Sequence, residues 1–254
     1  MSIGRKIVFV IALMVFVGSA GAILIHYTQR AHDQNAFDNL KDVPKAEEGI
    51  WTENGYVIAK YANLYRQNPD IIGWLKIDGT KIDYPVMQTK DSPKDYYLRR
   101  NFKKESSISG TPFMDASSDI FKPTYNWLIY GHNMSTGTMF HDLLKYEEKE
   151  FYKEHKTFRF DTIYKGGQAT YEVVAAFKSQ IYPDDKKIFK YVDYAEITTE
   201  QELEEYVNGI KDLSLYKTGV SVEAGDQLVT LSTCSYHVPD KLGRFAVVGK
   251  RIDQ

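Results

Sequence analysis

A chain of 254 residues, 43% of them hydrophobic, is long enough for one large domain or two small ones and can bury a real core. Its 32 Lys and Arg against 34 Asp and Glu leave a net charge of -2, with no cationic excess to neutralise a phosphate backbone, so nucleic acid is set aside as a partner. Seventeen Gly, eight Pro and the absence of short repeats or low-complexity runs exclude collagen-like, solenoid and wholly disordered chains, and one cysteine excludes an intrachain disulfide or a Cys-based metal cluster.

The run from Ile7 to Ile25 carries no charge over about 19 residues, enough to span a bilayer. Arg5 and Lys6 precede it, which places the N-terminus in the cytoplasm and everything after His26 outside. Ala20-Gly21-Ala22 resembles a small-residue cleavage site, but the apolar stretch exceeds the roughly 7 to 15 residues of a signal-peptide core, so the expectation is an uncleaved anchor. Residues 1–26 are then the cytoplasmic N-terminus and transmembrane signal-anchor. Residues 27–49 are a polar juxtamembrane segment, a helix passing into a linker that contains Pro44, and residues 50–254 form an extracytoplasmic domain.

Within that domain, Val57, Tyr61 and Leu64 fall at helical spacing, predicting a helix over Thr52 to Gln67 that Asn68-Pro69 stops. Ile71 to Ile77 and Lys81 to Met87 flank Asp78-Gly79-Thr80 and predict a hairpin. Further strands are expected at Thr111 to Asp115, Asn126 to Tyr130, Thr157 to Tyr164, Ala169 to Gln180, Gln227 to Cys234 and Arg244 to Ile252. About eight strands point to a barrel or a sandwich. Two helical insertions interrupt them. The first runs from Met139 to about His155; in the second, Thr199 and Glu202 form a capping box ahead of the apolar stripe Leu203, Tyr206, Val207, Ile210 and Leu213. The second lies in a connection of roughly forty residues, Ile181 to Ala224, against the usual median of about 4 to 6, and is expected to build a wall of the binding site.

The chemistry begins at Cys234, which closes the apolar strand Thr230-Leu231-Ser232-Thr233-Cys234. A lone cysteine serves equally as a small buried hydrophobe, but a strand-end thiol beside hydroxyls and free amides can face a substrate. Arg244 opens the next strand, and a guanidinium brought beside a thiol by strand pairing favours the thiolate or holds a developing oxyanion, although it cannot take a proton. A histidine must supply that function. Of the six, His26 and His32 are juxtamembrane, and His141 and His155 read as solvated residues of a Glu/Lys-rich helix. His237 is near Cys234 in sequence, and His132 is presented at a strand end after Gly131; both stay open on spacing alone. No histidine pair has zinc-ligand spacing, so neither a metal nor a cofactor is expected.

These residues resemble the sortases, membrane-anchored cysteine transpeptidases of Gram-positive bacteria. Thr230-Leu231-Ser232-Thr233-Cys234 matches their T-L-x-T-C signature, Arg244 follows at the usual distance, and Tyr130-Gly131-His132-Asn133-Met134 looks like their histidine segment. The resemblance runs from about Asn68 to Lys250. The inserted helix before the cysteine strand, with Asp83-Tyr84-Pro85-Val86 and Asp95-Tyr96-Tyr97-Leu98, resembles class B. It implies a mainly β fold, an eight-stranded sortase-type barrel with added helices. It implies catalysis by His132, Cys234 and Arg244, with Leu98, Tyr130, Tyr182 and Ser232 as candidates for the substrate groove. The implied partners are surface proteins bearing a C-terminal sorting motif, cleaved after Thr, and an amine of a cell-wall precursor or a pilin, with the membrane engaged through residues 7–25. A hydrolytic cysteine peptidase and a non-catalytic wall-binding module are the alternative classes.

Overall fold

The computed structural model describes residues 3–89, 93–183 and 188–252, in two compact units that meet in sequence between Asp42 and Val43. The first unit is one helix, α1, Ile3–Lys41. Its Ile3–Gly21 part is long and apolar enough to cross a membrane by length and composition, since these 19 residues rise about 28 Å. The helix runs unbroken past Ala20-Gly21-Ala22 and on to Lys41, so most of the segment read as a helix passing into a linker is helical.

The second unit opens with a hairpin, β1 (Ile50–Thr52) and β2 (Gly55–Val57), before helix α2 (Ala59–Gln67). The expected helix from Thr52 therefore starts later. Glu53-Asn54 makes the turn, Gly55 opens β2 with a φ of +126°, and Val57, counted in the helical stripe, is instead a buried strand residue bridged to Tyr164.

Eight strands then close a barrel: β3 (Ile71–Lys76), β4 (Asp83–Met87), β5 (Phe113–Met114), β6 (Asn126–Tyr130), β7 (Thr157–Thr162), β8 (Gln168–Gln180), β9 (Leu228–Cys234) and β10 (Gly243–Arg251). The order around it is β10-β8-β7-β3-β4-β5-β6-β9. All pairs are antiparallel except β4 with β5 and β6 with β9. The barrel is the alternative that leaves no exposed edge, and each predicted strand matches an observed one to within a few residues.

The first insertion is not one helix. Residues His141–Glu147 form a 3-10 helix and Lys149–Glu154 form α3, because Phe140, Leu143 and Tyr146 are buried at a spacing of three rather than 3.6. The second contains the expected helix, α4 (Glu200–Leu213), whose capping box is complete: the Glu202 amide donates to Thr199 Oγ1 at 3.2 Å and the Thr199 amide to Glu202 Oε2 at 3.1 Å. Its Leu203, Tyr206, Val207 and Ile210 pack on Phe177 of β8 and Ala246 and Val248 of β10. A helix cannot enter an eight-stranded barrel, so this is the outer face. Strand alternation puts Leu228, Thr230, Ser232 and Cys234 on that face, and Val229, Leu231 and Thr233 inside.

Removing the cap should weaken this outer layer without touching the barrel. Thr199→Ala is expected to lower stability by about 1 kcal/mol and Thr199→Ser to restore most of it, read as the shift in urea midpoint of the full chain in detergent.

Candidate active site

Cys234, half-buried, is the last residue of β9, and the register with β10 sets Arg244 directly opposite it. Paired residues of an antiparallel ladder share a face with Cβ atoms about 4.5–5.5 Å apart, so the two side chains start from neighbouring positions, and Arg244 Nη1 donates to the Gly243 carbonyl at 2.8 Å. On its other edge β9 runs parallel to β6, with Tyr130 beside Ser232. Two further bonds carry the chain past the end of β6. The Gly131 amide donates to the Ser232 carbonyl at 3.0 Å, and Thr233 Oγ1 donates to the Gly131 carbonyl at 2.7 Å. Gly131 is required by its surroundings, since a Cβ there would lie 2.5 Å from the Phe140 ring. The next residue is His132.

The His132 ring is held from a third segment. Its Nε2 lies 2.8 Å from the carbonyl oxygen of Leu98, in the 3-10 helix Tyr96–Arg99. A carbonyl only accepts, so Nε2 carries the proton and Nδ1 is left to exchange one. Burial pushes the imidazole pKa below 6.5; the bond to Leu98 opposes that shift and the nearby Arg99 charge adds to it. The neutral ring is therefore the main form at pH 7.

These groups open on one cavity of about 230 Å³. The barrel contributes Tyr130, Gly131, His132, Ser232, Thr233, Cys234 and Arg244; Phe113 and Asp115 line it from β5 and the residue after it, and Lys94, Asp95 and Leu98 from the preceding loop. Tyr130 donates its hydroxyl to Asp115 Oδ2 at 3.0 Å, and burial together with that carboxylate raises its pKa. Behind Ser232 stands Tyr191 of the second insertion, buried, its hydroxyl 2.7 Å from Ser232 Oγ. Burial pushes that phenol up to about 12, against the opposing effects of the Ser232 bond and the Arg244 charge. A second tie joins Tyr206 of α4 to Thr230 Oγ1, which in turn donates to Asn126 Oδ1 at 2.9 Å.

Six of the seven residues singled out by sequence, Leu98, Tyr130, His132, Ser232, Cys234 and Arg244, thus line one cavity. Tyr182 does not line it. The Ile181 amide donates to the Leu242 carbonyl at 2.9 Å, so Ile181 prolongs the β8–β10 pairing ahead of Tyr182, and residues 184–187 lie outside the described residues. Among the described residues of the insertion, Tyr191 bonds the cavity-lining Ser232, and no local signal in the sequence distinguishes it from the other tyrosines. Asp115 was legible only as the end of a strand.

His141 and His155 are not placed as expected. His141 is half-buried with Nδ1 at 2.7 Å from Asn133 Oδ1, and His155 stacks on Phe151 at 4.0 Å, so neither is a solvated surface residue. His237, exposed, sits 3.0 Å from Ser235 Oγ and does not line the cavity. The side chains of His26 and His32 lie outside the described residues. Among the described residues no cluster of His, Cys, Asp or Glu is disposed to hold a metal ion. A soft nucleophile, a guanidinium fork and an imidazole with one free nitrogen form a set able to carry out covalent acyl transfer.

The family profile for the sortase domain matches residues 75–252. Sortase B of Listeria monocytogenes is 34% identical over 250 residues, covering 98% of this chain and 97% of that protein. Among solved structures, sortase B from Bacillus anthracis in complex with AAEK1 aligns with a TM-score of 0.72 at 31% identity, over 90% of this chain and all of that one. The Staphylococcus aureus sortase B–substrate complex aligns with a TM-score of 0.68 at 30% identity, over 78% of this chain and 86% of that one.

The buried setting of the imidazole has a measurable consequence. In an NMR titration His132 should show a midpoint below 6.5 and, at high pH, the nitrogen shifts of an Nε2-protonated ring. A midpoint above 6.5 would mean that the Leu98 carbonyl outweighs desolvation.

Proposed function

The chain belongs to the sortase family and is a sortase-type cysteine transpeptidase of class B, and from that premise we propose that Cys234 is its nucleophile, His132 its acid and base, and Arg244 the group that holds the oxyanion or positions the peptide. The observation that carries the assignment is the cross-strand pair Cys234 and Arg244, opening on the same cavity as His132.

The steps follow from the protonation states. His132 starts neutral, so its Nδ1 accepts the thiol proton as Cys234 Sγ attacks the carbonyl of the motif threonine. Negative charge gathers on the carbonyl oxygen, where the Arg244 fork donates to it. The tetrahedral species collapses by breaking the C–N bond, and Nδ1 returns its proton to the departing amine. A thioester on Cys234 results. An incoming primary amine then attacks the thioester, Nδ1 takes a proton from it, the C–S bond breaks, and Nδ1 passes that proton to the departing sulfur, restoring the thiol and the neutral ring. Water in place of the amine would make the same chemistry hydrolysis.

In this reading Leu98, Tyr130 and Ser232 hold the residues around the scissile bond, and Tyr191 shapes the groove through Ser232. The substrates are surface proteins with a C-terminal sorting motif, and the acceptor is an amine of a cell-wall precursor or a pilin. The Staphylococcus aureus neighbour, solved as a sortase B–substrate complex, supports a substrate-binding role for this chain. The apolar part of α1 is the anchor, with the N-terminus inside and the barrel outside the membrane, which agrees with Arg5 and Lys6 preceding the span.

Incubation with a sorting-peptide library, with and without amine acceptors, read by mass spectrometry, tests the reading. Cys234→Ala should abolish the covalent adduct while leaving the fold intact, His132→Ala should slow acylation by at least about a hundredfold, and Arg244→Lys should be poorly active because an ammonium cannot reproduce the planar fork. An adduct on another residue, or release by water alone whatever amine is offered, would overturn it. The second insertion should carry motif preference: exchanging residues 181–218 for the equivalent segment of a sortase with another motif is expected to change the peptide selected and to spare acylation. A folded chimera with its original preference would place recognition in the loop around Leu98.

A further inference from the structure

The parallel ladder between β6 and β9 ends at Tyr130 and Ser232, and the chain after Gly131 turns back on itself. The His132 carbonyl accepts from the Phe140 amide at 2.8 Å, Asn133 and Met139 form an isolated bridge, and the Gly137 amide closes a turn on the Met134 carbonyl at 2.8 Å. The main-chain ladder between β6 and β9 has ended by the time the carbonyl of Cys234 comes level with Asn133. The Asn133 side chain supplies the donor instead, Nδ2 standing 2.9 Å from the Cys234 carbonyl oxygen. A single side chain therefore links the residue after His132 to the main chain of Cys234.

That link has a direction, and a second residue sets it. Because Nδ2 must face the carbonyl, Oδ1 must accept, and it lies 2.7 Å from Nδ1 of His141, which carries a proton there in either charge state. His141 is itself fixed at the start of the 3-10 helix, with its amide on the Thr138 carbonyl at 3.2 Å. The adjoining Asp142, buried, accepts from the Lys81 amide at 2.8 Å and pairs with Lys145 at 3.2 Å.

We propose that Asn133 and His141 are positioning residues: His141 locks the Asn133 amide, and the amide fixes the end of the cysteine strand relative to the loop that carries His132. The proposal rests on the roles given above to Cys234 and His132. Asn133 acts on the backbone of both, while Leu98 holds the imidazole from the other side, so removing either tie leaves one end of the pair unconstrained.

The test uses the full chain in detergent with two readouts, the rate of Cys234 alkylation by iodoacetamide and the kcat and KM for transfer of a sorting peptide to an amine. His141→Leu and Asn133→Leu are expected to lower kcat at least tenfold with KM within twofold, to change the alkylation rate, and to leave the urea midpoint close to that of the wild type. His141→Asn, whose amide can still donate to Oδ1, should recover activity to within about threefold. Folded Leu variants with unaltered alkylation and kcat would overturn the proposal, as would a His141→Asn variant no better than His141→Leu. Should Asn133→Leu fail to fold, the contrast between the two His141 variants decides. A wild-type protein that transfers no peptide would sink the transpeptidase roles, and the alkylation rates would then judge the positioning link alone.

Discussion

Strand β9 closes the barrel, and its two different edges are the constraint on which the site depends. Its antiparallel register with β10 places Arg244 across from Cys234, and its parallel register with β6 brings the segment ending in His132 to the same end of the sheet. Neither neighbour is adjacent in sequence to the other, so a slip of one residue in either ladder would turn Cys234 to the opposite face and disperse the group. Burial fixes the register: Val229 and Leu231 face the barrel interior, and Leu228 and Thr230 face the helical layer, so neither face tolerates the exchange.

The same alternation gives the second insertion its role. Every outward position of β9 before the cysteine is engaged by it: Leu228 in the shared apolar cluster, Thr230 with Tyr206, Ser232 with Tyr191. Cys234, next in the row, emerges where that layer ends. Buried hydroxyl pairs of this kind contribute modestly when formed and cost more when one member is left unpaired, which ties the position of the wall to the strand bearing the thiol. The apolar stripe of α4 supplies the adhesion, and the tyrosines supply the alignment.

The imidazole is oriented by groups that carry no charge. Leu98 contributes a carbonyl that holds Nε2 and leaves Nδ1 as the nitrogen open to proton exchange, and Gly131 contributes a lack of side chain beneath the Phe140 ring. Among the described residues no carboxylate bonds to the imidazole, and desolvation is the largest influence on its protonation state, keeping the ring neutral near pH 7. A neutral ring suits a first step that begins by accepting the thiol proton.

Much of this was legible in the chain itself, because local physics dictates it. The charge-free run after Arg5 and Lys6, the Asp78-Gly79-Thr80 turn, the Thr199 and Glu202 box and the β-branched runs are each decided by residues close in sequence, and the structure has a helix, a hairpin, a capped helix and strands there. The T-L-x-T-C strand, Arg244 and the His132 segment pointed to the family by their resemblance to its motifs. What only the tertiary structure decided are the relations between distant segments: that Val57 belongs to a strand bridged to Tyr164, that Tyr191 of the insertion bonds Ser232 while Tyr182 stays off the cavity, and that His141, outwardly a surface residue of a polar helix, stands behind Asn133. These rest on contacts spanning many residues, where side-chain reach and strand register, rather than propensity or spacing, select the partner.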